Sequence, residues 1–415
     1  MGFGQGLSGI DAAAQNLDVI GNNIANANTV GFKQSSVQFA DVFAGAQVGL
    51  GTRVSKVVQS FEQGNITSTG RSLDVAITNG NGFFRLQDAA GQVYYSRNGQ
   101  FLSTADGHLT NGQGLLLTGY PPGVAAGAGV QPQPLVVPNA QMAPKATTSV
   151  AIQLNLDSGA NVITPATFPA AGTAGIPAAS SFNYATTLQV YDSLGNPQQL
   201  TAYFVKQAAT AGPPPTSPWT MSVRDSAGNE VANNTVSFDA SGNMIPVTPG
   251  GPALANAITI PDTTLNNGAT TLTAQIDLTG STQYRGDNDP KGISQNGYAS
   301  GTLLGYQIQN DGTILASYSN QQTKSLGQVV LAGFGNPEGL QAAGDNVWTA
   351  TNNSGTALLN APGGALGQLK SNAVESSNVN LSSELVNLIV AQRNYQANAQ
   401  TIKAQDQVMQ TLMNI

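Results

Sequence analysis

At 415 residues the chain is long enough for two or three compact domains. Charged residues make up 9% of it, against roughly 25% in ordinary soluble proteins, and the net charge is −7 with a pI near 4.6. That balance, with no basic run anywhere, excludes a nucleic-acid ligand, and the absence of cysteine excludes disulfides and thiolate metal sites. The first thirty residues hold neither a basic n-region nor a continuous apolar h-region, so no cleaved secretory signal is expected. No apolar run reaches the roughly 18 residues that a membrane helix requires, so no membrane insertion is expected either.

The first predicted element is a helix over residues 7–28. Leu7, Ile10, Ala14, Leu17, Gly21 and Ile24 recur at 3,4 spacing, and Asn-rich sequence followed by Gly31 supplies the stop signal. Residues 34–71 show little regular periodicity and read as an extended connector. From Leu73 the pattern has period two: Leu73, Val75 and Ile77, then Phe84 and Leu86, then Val93 and Tyr95, separated by turn residues such as Asn98-Gly99 and Asp106-Gly107. This predicts an inner antiparallel β domain over 72–147, completed by 291–355, where period-two sequence returns around Asn310-Asp311-Gly312. Between them, 148–290 reads as an inserted outer β domain, with strands around Leu188-Val190 and Trp219-Met221-Val223 and turns at Leu194–Pro197 and Ala227-Gly228-Asn229. Residues 356–371 return through a second connector.

The last element is a helix opening at Asn372, with Glu375 as its capping-box partner, and running to Met413, roughly 60 Å long at 1.5 Å per residue. Leu381, Leu388, Tyr395, Ile402 and Met409 fall every seventh residue; Leu385, Gln392, Ala399, Asp406 and Met413 take the intervening positions. A seam of two apolar positions per seven is too narrow to bury a helix in a globular core and calls for another helix. The two ends, 1–33 and 372–415, therefore pair with each other or with neighbouring subunits, and both are expected to be mobile in a free subunit. The fold class is mixed and mainly β: nested antiparallel β domains, with long terminal α-helices pairing as a coiled-coil-like inner layer.

Motifs for chemistry are weak. Gly4-Gln5-Gly6-Leu7-Ser8-Gly9 fits a dinucleotide fingerprint, but no strand precedes it. Asp287, Asp289 and Gly292 have calcium-loop spacing, yet Tyr298 stands where the bidentate carboxylate belongs. His108, the one histidine, has no nucleophile signature beside it. Asn380-Leu381-Ser382 and Asn233-Asn234-Thr235 match the glycan acceptor pattern, the first overlapping the helical seam. No residue is assigned a catalytic, cofactor-binding or metal-binding role, and no enzyme activity is expected.

Several passages resemble the axial rod and hook family of the bacterial flagellum. At the N-terminus they are Leu7-Ser8-Gly9-Ile10 and the run from Asn22 to Lys33; at the C-terminus, the run from Ser377 to Val386 and the run from Ala391 to Ala399. The end motifs are shared by rod, hook and junction proteins. The insertion with Val190-Tyr191-Asp192-Ser193-Leu194-Gly195-Asn196, and Gly344-Asp345-Asn346-Val347-Trp348 beyond it, are similar to hook subunits. The resemblance implies a helical homopolymer whose inner tube is formed by the paired terminal helices, with β domains stacked outside, bending as a universal joint. It also implies partners: the hook cap, the distal rod, the hook–filament junction protein and the flagellar type III export apparatus. Phe39 and Phe43 are the candidate residues for export recognition, and the implied location is extracellular, on the flagellum. A rod or junction protein is the alternative within the family, and a secreted β-rich adhesin the alternative outside it.

Overall fold

The computed structural model describes residues 3–42, 49–124, 129–138, 140–163, 168–170, 173–212, 215–245, 257–261, 265 and 267–413. The chain divides into two units, the first taking 1–139, 304–317 and 323–415, the second 140–303 and 318–322. The second unit begins and ends outside the 148–290 read from the sequence.

The second unit is a β-sandwich. A five-stranded meander (Tyr184–Tyr191, Pro197–Lys206, Ser217–Asp225, Glu230–Phe238, Met244–Ile245) faces a four-stranded sheet ordered Ala257–Ile260, Leu272–Asp277, Ser149–Asn155, Asp289–Gln295. One core joins them: Phe204, Trp219 and Met221 come from the meander, Ile152, Ile258 and Ile276 from the smaller sheet, all essentially dry. Alternation along each strand puts every second side chain into that core. The pairing is antiparallel except where Ser149–Ala151 runs parallel to Gln275–Asp277.

Three of the meander's connections share one local code, Asp-x-x-Gly-Asn, at Asp192, Asp225 and Asp239. In each, the Asp Oδ1 accepts the N–H groups two and four residues on, at 2.8–2.9 Å. In each, the glycine adopts φ of 80–87°, the left-handed conformation that closes the turn. Asp192 lies deepest. Burial pushes its carboxyl up, but the N–H groups of Asn196 and Leu194 and the amides of Asn196 and Asn267 outweigh that and hold it below its ordinary 3.8.

The first unit is knitted from both ends of the chain. Strand Phe83–Gln87 pairs with Val93–Ser96 on one side and with Leu331–Gly333 and Leu116–Tyr120 on the other. Val347–Thr349 extends the sheet beyond Val93–Ser96, Gln368–Ser371 pairs with Val75–Thr78, and Ala373–Glu375 pairs with Ile66–Ser68. An edge-to-face cluster of Phe61, Phe83, Phe334, Tyr95 and Trp348, with ring centroids 4.8–6.1 Å apart, fills the space between these segments.

Two sequence readings need correction here. The connector is not extended throughout: Ser35–Asp41 (β1) and Thr52–Gln59 (β2) form an antiparallel hairpin packed on the N-terminal helix. A bulge between Gln38 and Phe39 shifts the register and breaks the period-two pattern that would have announced it. The C-terminal helix does not open at Asn372. That residue sits at φ +56° in a turn, and Ala373–Glu375 is a strand, so Glu375 is no capping-box partner. Helix α1 spans Phe3–Ala25 and helix α2 spans Leu381–Met413, the latter 33 residues or roughly 50 Å. The N-cap of α2 is Asn380, whose Oδ1 accepts the Ser383 N–H at 3.1 Å.

Candidate functional site: the helix pair and its polar root

Helices α1 and α2 pack against each other through small and amide-bearing side chains. A Cβ on Gly9 would lie 2.7 Å from the Asn398 side chain, and one on Gly6 would lie 2.9 Å from Ile402, so these glycines set how closely the helices approach. Two glycines of the dinucleotide-like pattern thus have a packing role. Ala12, Ala13 and Ile20 of α1 are buried on this side, as is Ala391 of α2.

Below them lies a ladder of buried polar ties. Glu384, in the first turn of α2, is buried and accepts hydrogen bonds from Gln34 Nε2 at 2.8 Å, Asn23 Nδ2 at 3.2 Å and Asn387 Nδ2 at 3.2 Å. A carboxylate there also gains from the positive end of the helix dipole. Asn23 exchanges two further bonds with the backbone of Ser35, imitating a strand pair and fixing α1 to β1. One step further in, Asn378 accepts the Gln34 N–H at 2.7 Å and donates to the carbonyls of Ser60 and Glu62.

The innermost tie is ionic. Lys33 Nζ lies 2.6 Å from Glu375 Oε1 and donates to the Glu62 carbonyl, also at 2.6 Å. Arg97 reaches Glu375 Oε2 at 3.4 Å and the Gly80 carbonyl at 3.0 Å, with its guanidinium 5.1 Å above the Phe83 ring. All three charged side chains are fully buried. Burial lowers the Lys33 pKa from its ordinary 10.5; the Glu375 carboxylate opposes the shift and the like charge of Arg97 adds to it. Burial likewise lowers that of Arg97, against Glu375. Two cations share one carboxylate, whose Oε1 also accepts the Gly64 N–H at 2.9 Å.

The apolar seam lies elsewhere on the helices. Ile10, Ala14, Leu17 and Ile24 of α1 and Leu388 and Ile402 of α2 are half-buried, whereas Leu7, Leu381, Leu385, Tyr395 and Met409 are 38–55% exposed. A seven-residue repeat drifts about 20° per heptad around a straight helix. The stripe therefore meets α1 near Ile402 and turns away from it toward the start of α2. There Leu381, Leu385, Val386, Ile389 and Val390 form a patch that no other described residue fully covers, each about half exposed. Between the helix pair and the hairpin runs a groove of about 500 Å³, lined by Gln5, Gly9, Asn16, Asn394 and Asn398, with Phe39 half exposed at its side. Phe43 lies outside the described residues.

The polar ladder escaped the sequence reading. Its members gave little sequence signal: Glu384 lies off the heptad seam, and Lys33 is a lone basic residue after Gly31-Phe32. Neither shows by itself that its partner stands hundreds of residues away.

Comparison with known proteins places these features. Residues 155–298 match the family described as Flagellar basal body protein FlaE D2 domain, and 76–155 the Flagellar hook protein FlgE/F/G D1 domain. Residues 5–33 match the Flagella basal body rod protein family, and 370–415 the Flagellar basal body rod FlgEFG protein C-terminal family. The chain is 47% identical to the flagellar hook protein FlgE of Escherichia coli K12 over the whole of both chains. It is 32% identical to that of Borreliella burgdorferi over 99% of this chain and 98% of the other. Among solved structures, the Helicobacter pylori flagellar hook protein FlgE2 matches in fold with a TM-score of 0.54 at 14% identity, covering 75% of this chain and 99% of that one. With 47% identity over the full length of both chains, and family matches at both ends and through the middle, the chain belongs to the flagellar hook protein family.

Proposed function

We propose that this protein is a structural subunit of the bacterial flagellar hook, assembling with copies of itself into a flexible helical tube that passes motor torque to the filament. Family membership supports the hook assignment, and the uncovered apolar patch at the start of α2 supports self-assembly. Five half-exposed aliphatic side chains, each gaining about 1 kcal/mol when covered, would contribute roughly 5 kcal/mol per subunit. Contacts of this head-to-tail kind do not close into a dimer, so they propagate as a helix. The low charge of the chain, 9% of its residues, suits β units that shift against their neighbours through water-bridged contacts.

The same reading gives the chain no catalytic activity. It is exported by the flagellar type III apparatus, with Phe39 and Phe43 as recognition residues, to an extracellular place between the distal rod and the hook–filament junction protein, under a hook cap. The test is a charge in the patch. Leu385→Lys with Ile389→Lys should leave circular dichroism and thermal unfolding unchanged, while electron microscopy of the concentrated protein shows no tubes. Tubes of normal yield from the double variant would overturn the assembly reading.

A further inference from the structure

The buried Lys33–Glu375–Arg97 cluster is more than an internal ion pair, because of where its members sit in the chain. Lys33 lies shortly past the end of α1, and Glu375 shortly before the start of α2, so the segments that lead to the two helices meet at one carboxylate. Arg97 and Gly80, which join the cluster alongside the Glu62 carbonyl and the Gly64 N–H, belong to the β unit. The backbone repeats the arrangement: Gly31 N–H donates to the Glu375 carbonyl at 2.8 Å, and Ser376 N–H to the Asn65 carbonyl at 2.8 Å. Gly31 packs so closely on this node that a Cβ would lie 2.7 Å from the Asn98 nitrogen.

We propose that this cluster is a fixed socket, which sets the direction in which both terminal helices leave the inner β structure, and that Lys33, Arg97 and Glu375 are positioning residues for assembly. The inference rests on the reading of α1 and α2 as the assembling elements. Its physical basis is directional. Buried apolar contacts resist separation but not rotation, whereas a carboxylate gripped by an ammonium, a guanidinium and a backbone N–H fixes angles as well as distances. Uncovered in the free subunit, the helices can open from each other while their base holds. Flexing is then confined to the helices themselves, α1 up to Ala25 and α2 from Leu381 onward.

Hydrogen exchange on the unaltered full-length subunit, below its assembly concentration, tests the socket directly. The amides of Gly31, Gly64 and Ser376 should exchange as slowly as that of Val75 in the β structure, and at least about tenfold more slowly than those of Leu385–Ile389 in α2. Equal rates at the socket and in α2 overturn the proposal. The second arm replaces the cluster by apolar side chains, Lys33→Met, Arg97→Met and Glu375→Leu together, since well-packed apolar substitutes for a buried ion cluster keep stability or raise it. Unfolding should remain near that of the parent, while tubes of the triple variant show an altered subunit rotation or curvature by electron microscopy. Tubes superimposable on those of the parent overturn the positioning role. If the triple variant does not fold, the exchange ratio in the unaltered chain decides. Failure of the unaltered chain to form tubes counts against the hook reading instead, and the exchange ratio still decides the socket.

Discussion

Glu384→Ala isolates what the polar ladder contributes to the closing of α2 on α1. The side chain is 2% exposed and accepts three amide N–H groups, two of them, from Asn23 and Gln34, on other elements. Its removal leaves the Gln34 amide and one N–H of Asn23 facing an apolar alanine; Asn387 is exposed and turns to water. Two orphaned donors at about 1–3 kcal/mol each, less the relief from no longer burying a carboxylate, give a loss of roughly 2–4 kcal/mol. If the pair opens locally, that is about a 30- to 700-fold faster exchange of α2 amides from Leu385 to Tyr395, at about 1.4 kcal/mol per factor of ten. Hydrogen exchange with mass spectrometry reads this in the full chain. Glu384→Gln should fall between, because its NH₂ must face either the Asn23 or the Gln34 donor. Acceleration under about threefold, less than 1 kcal/mol, would refute the view that Glu384 ties the helices together. A double-mutant cycle with Asn23→Ala then separates the Asn23 share from that of Gln34.

Three further outcomes are expected. Because Lys33 is held below 10.5 in the folded chain, the unfolded chain binds the proton more tightly between the folded value and 10.5; stability should therefore rise with pH through that window, and denaturant midpoints of Lys33→Met should lose that slope. Asp192 is held below 3.8, so its contribution is complete above 3.8 and disappears as pH falls through the folded value. Asp192→Asn should keep the turn, as Asn111 keeps its own, but flatten the acid arm of the stability curve. Asn372, at φ +56°, should tolerate glycine without loss in thermal unfolding, while Asn372→Val costs about 1–2 kcal/mol; equal tolerance of both would reject the left-handed turn.

Local physics made much of the fold legible. The Asp-x-x-Gly-Asn turns and the alternation of Trp219, Met221 and Val223 carry their conformation within a few residues, so strands and hairpins could be read directly. The hairpin β1–β2 could not, since the bulge at Gln38–Phe39 displaces one strand's pattern by a residue. The start of α2 was misplaced because Asn372 and Glu375 have the spacing of a capping box, while their conformation is decided by Ile66–Ser68 and Lys33, more than three hundred positions earlier. The face that the heptad residues occupy was not legible: heptad spacing names a stripe, and only the straightness of α2 decides whether that stripe follows α1 or leaves it.

The division of labour on α2 follows from that drift. The face toward α1 carries Glu384, Ala391, Asn398 and Ile402, mostly small or hydrogen-bonding side chains that water can satisfy when the helices separate. The face turned away carries Leu385, Val386 and Ile389, for which water offers no such substitute. Opening the pair exchanges polar contacts for contacts with water, while covering the apolar face removes aliphatic surface from water, so the two processes differ in temperature dependence. Coverage of apolar surface has a negative heat-capacity change and weakens on cooling, whereas exchange of amide bonds for water has little. On the proposed reading, tubes should dissociate on cooling under conditions where the Glu384 ladder, followed by exchange of the α2 amides from Leu385 to Tyr395, remains closed. Loss of ladder protection at or above the temperature of tube dissociation would show instead that one interface carries both functions.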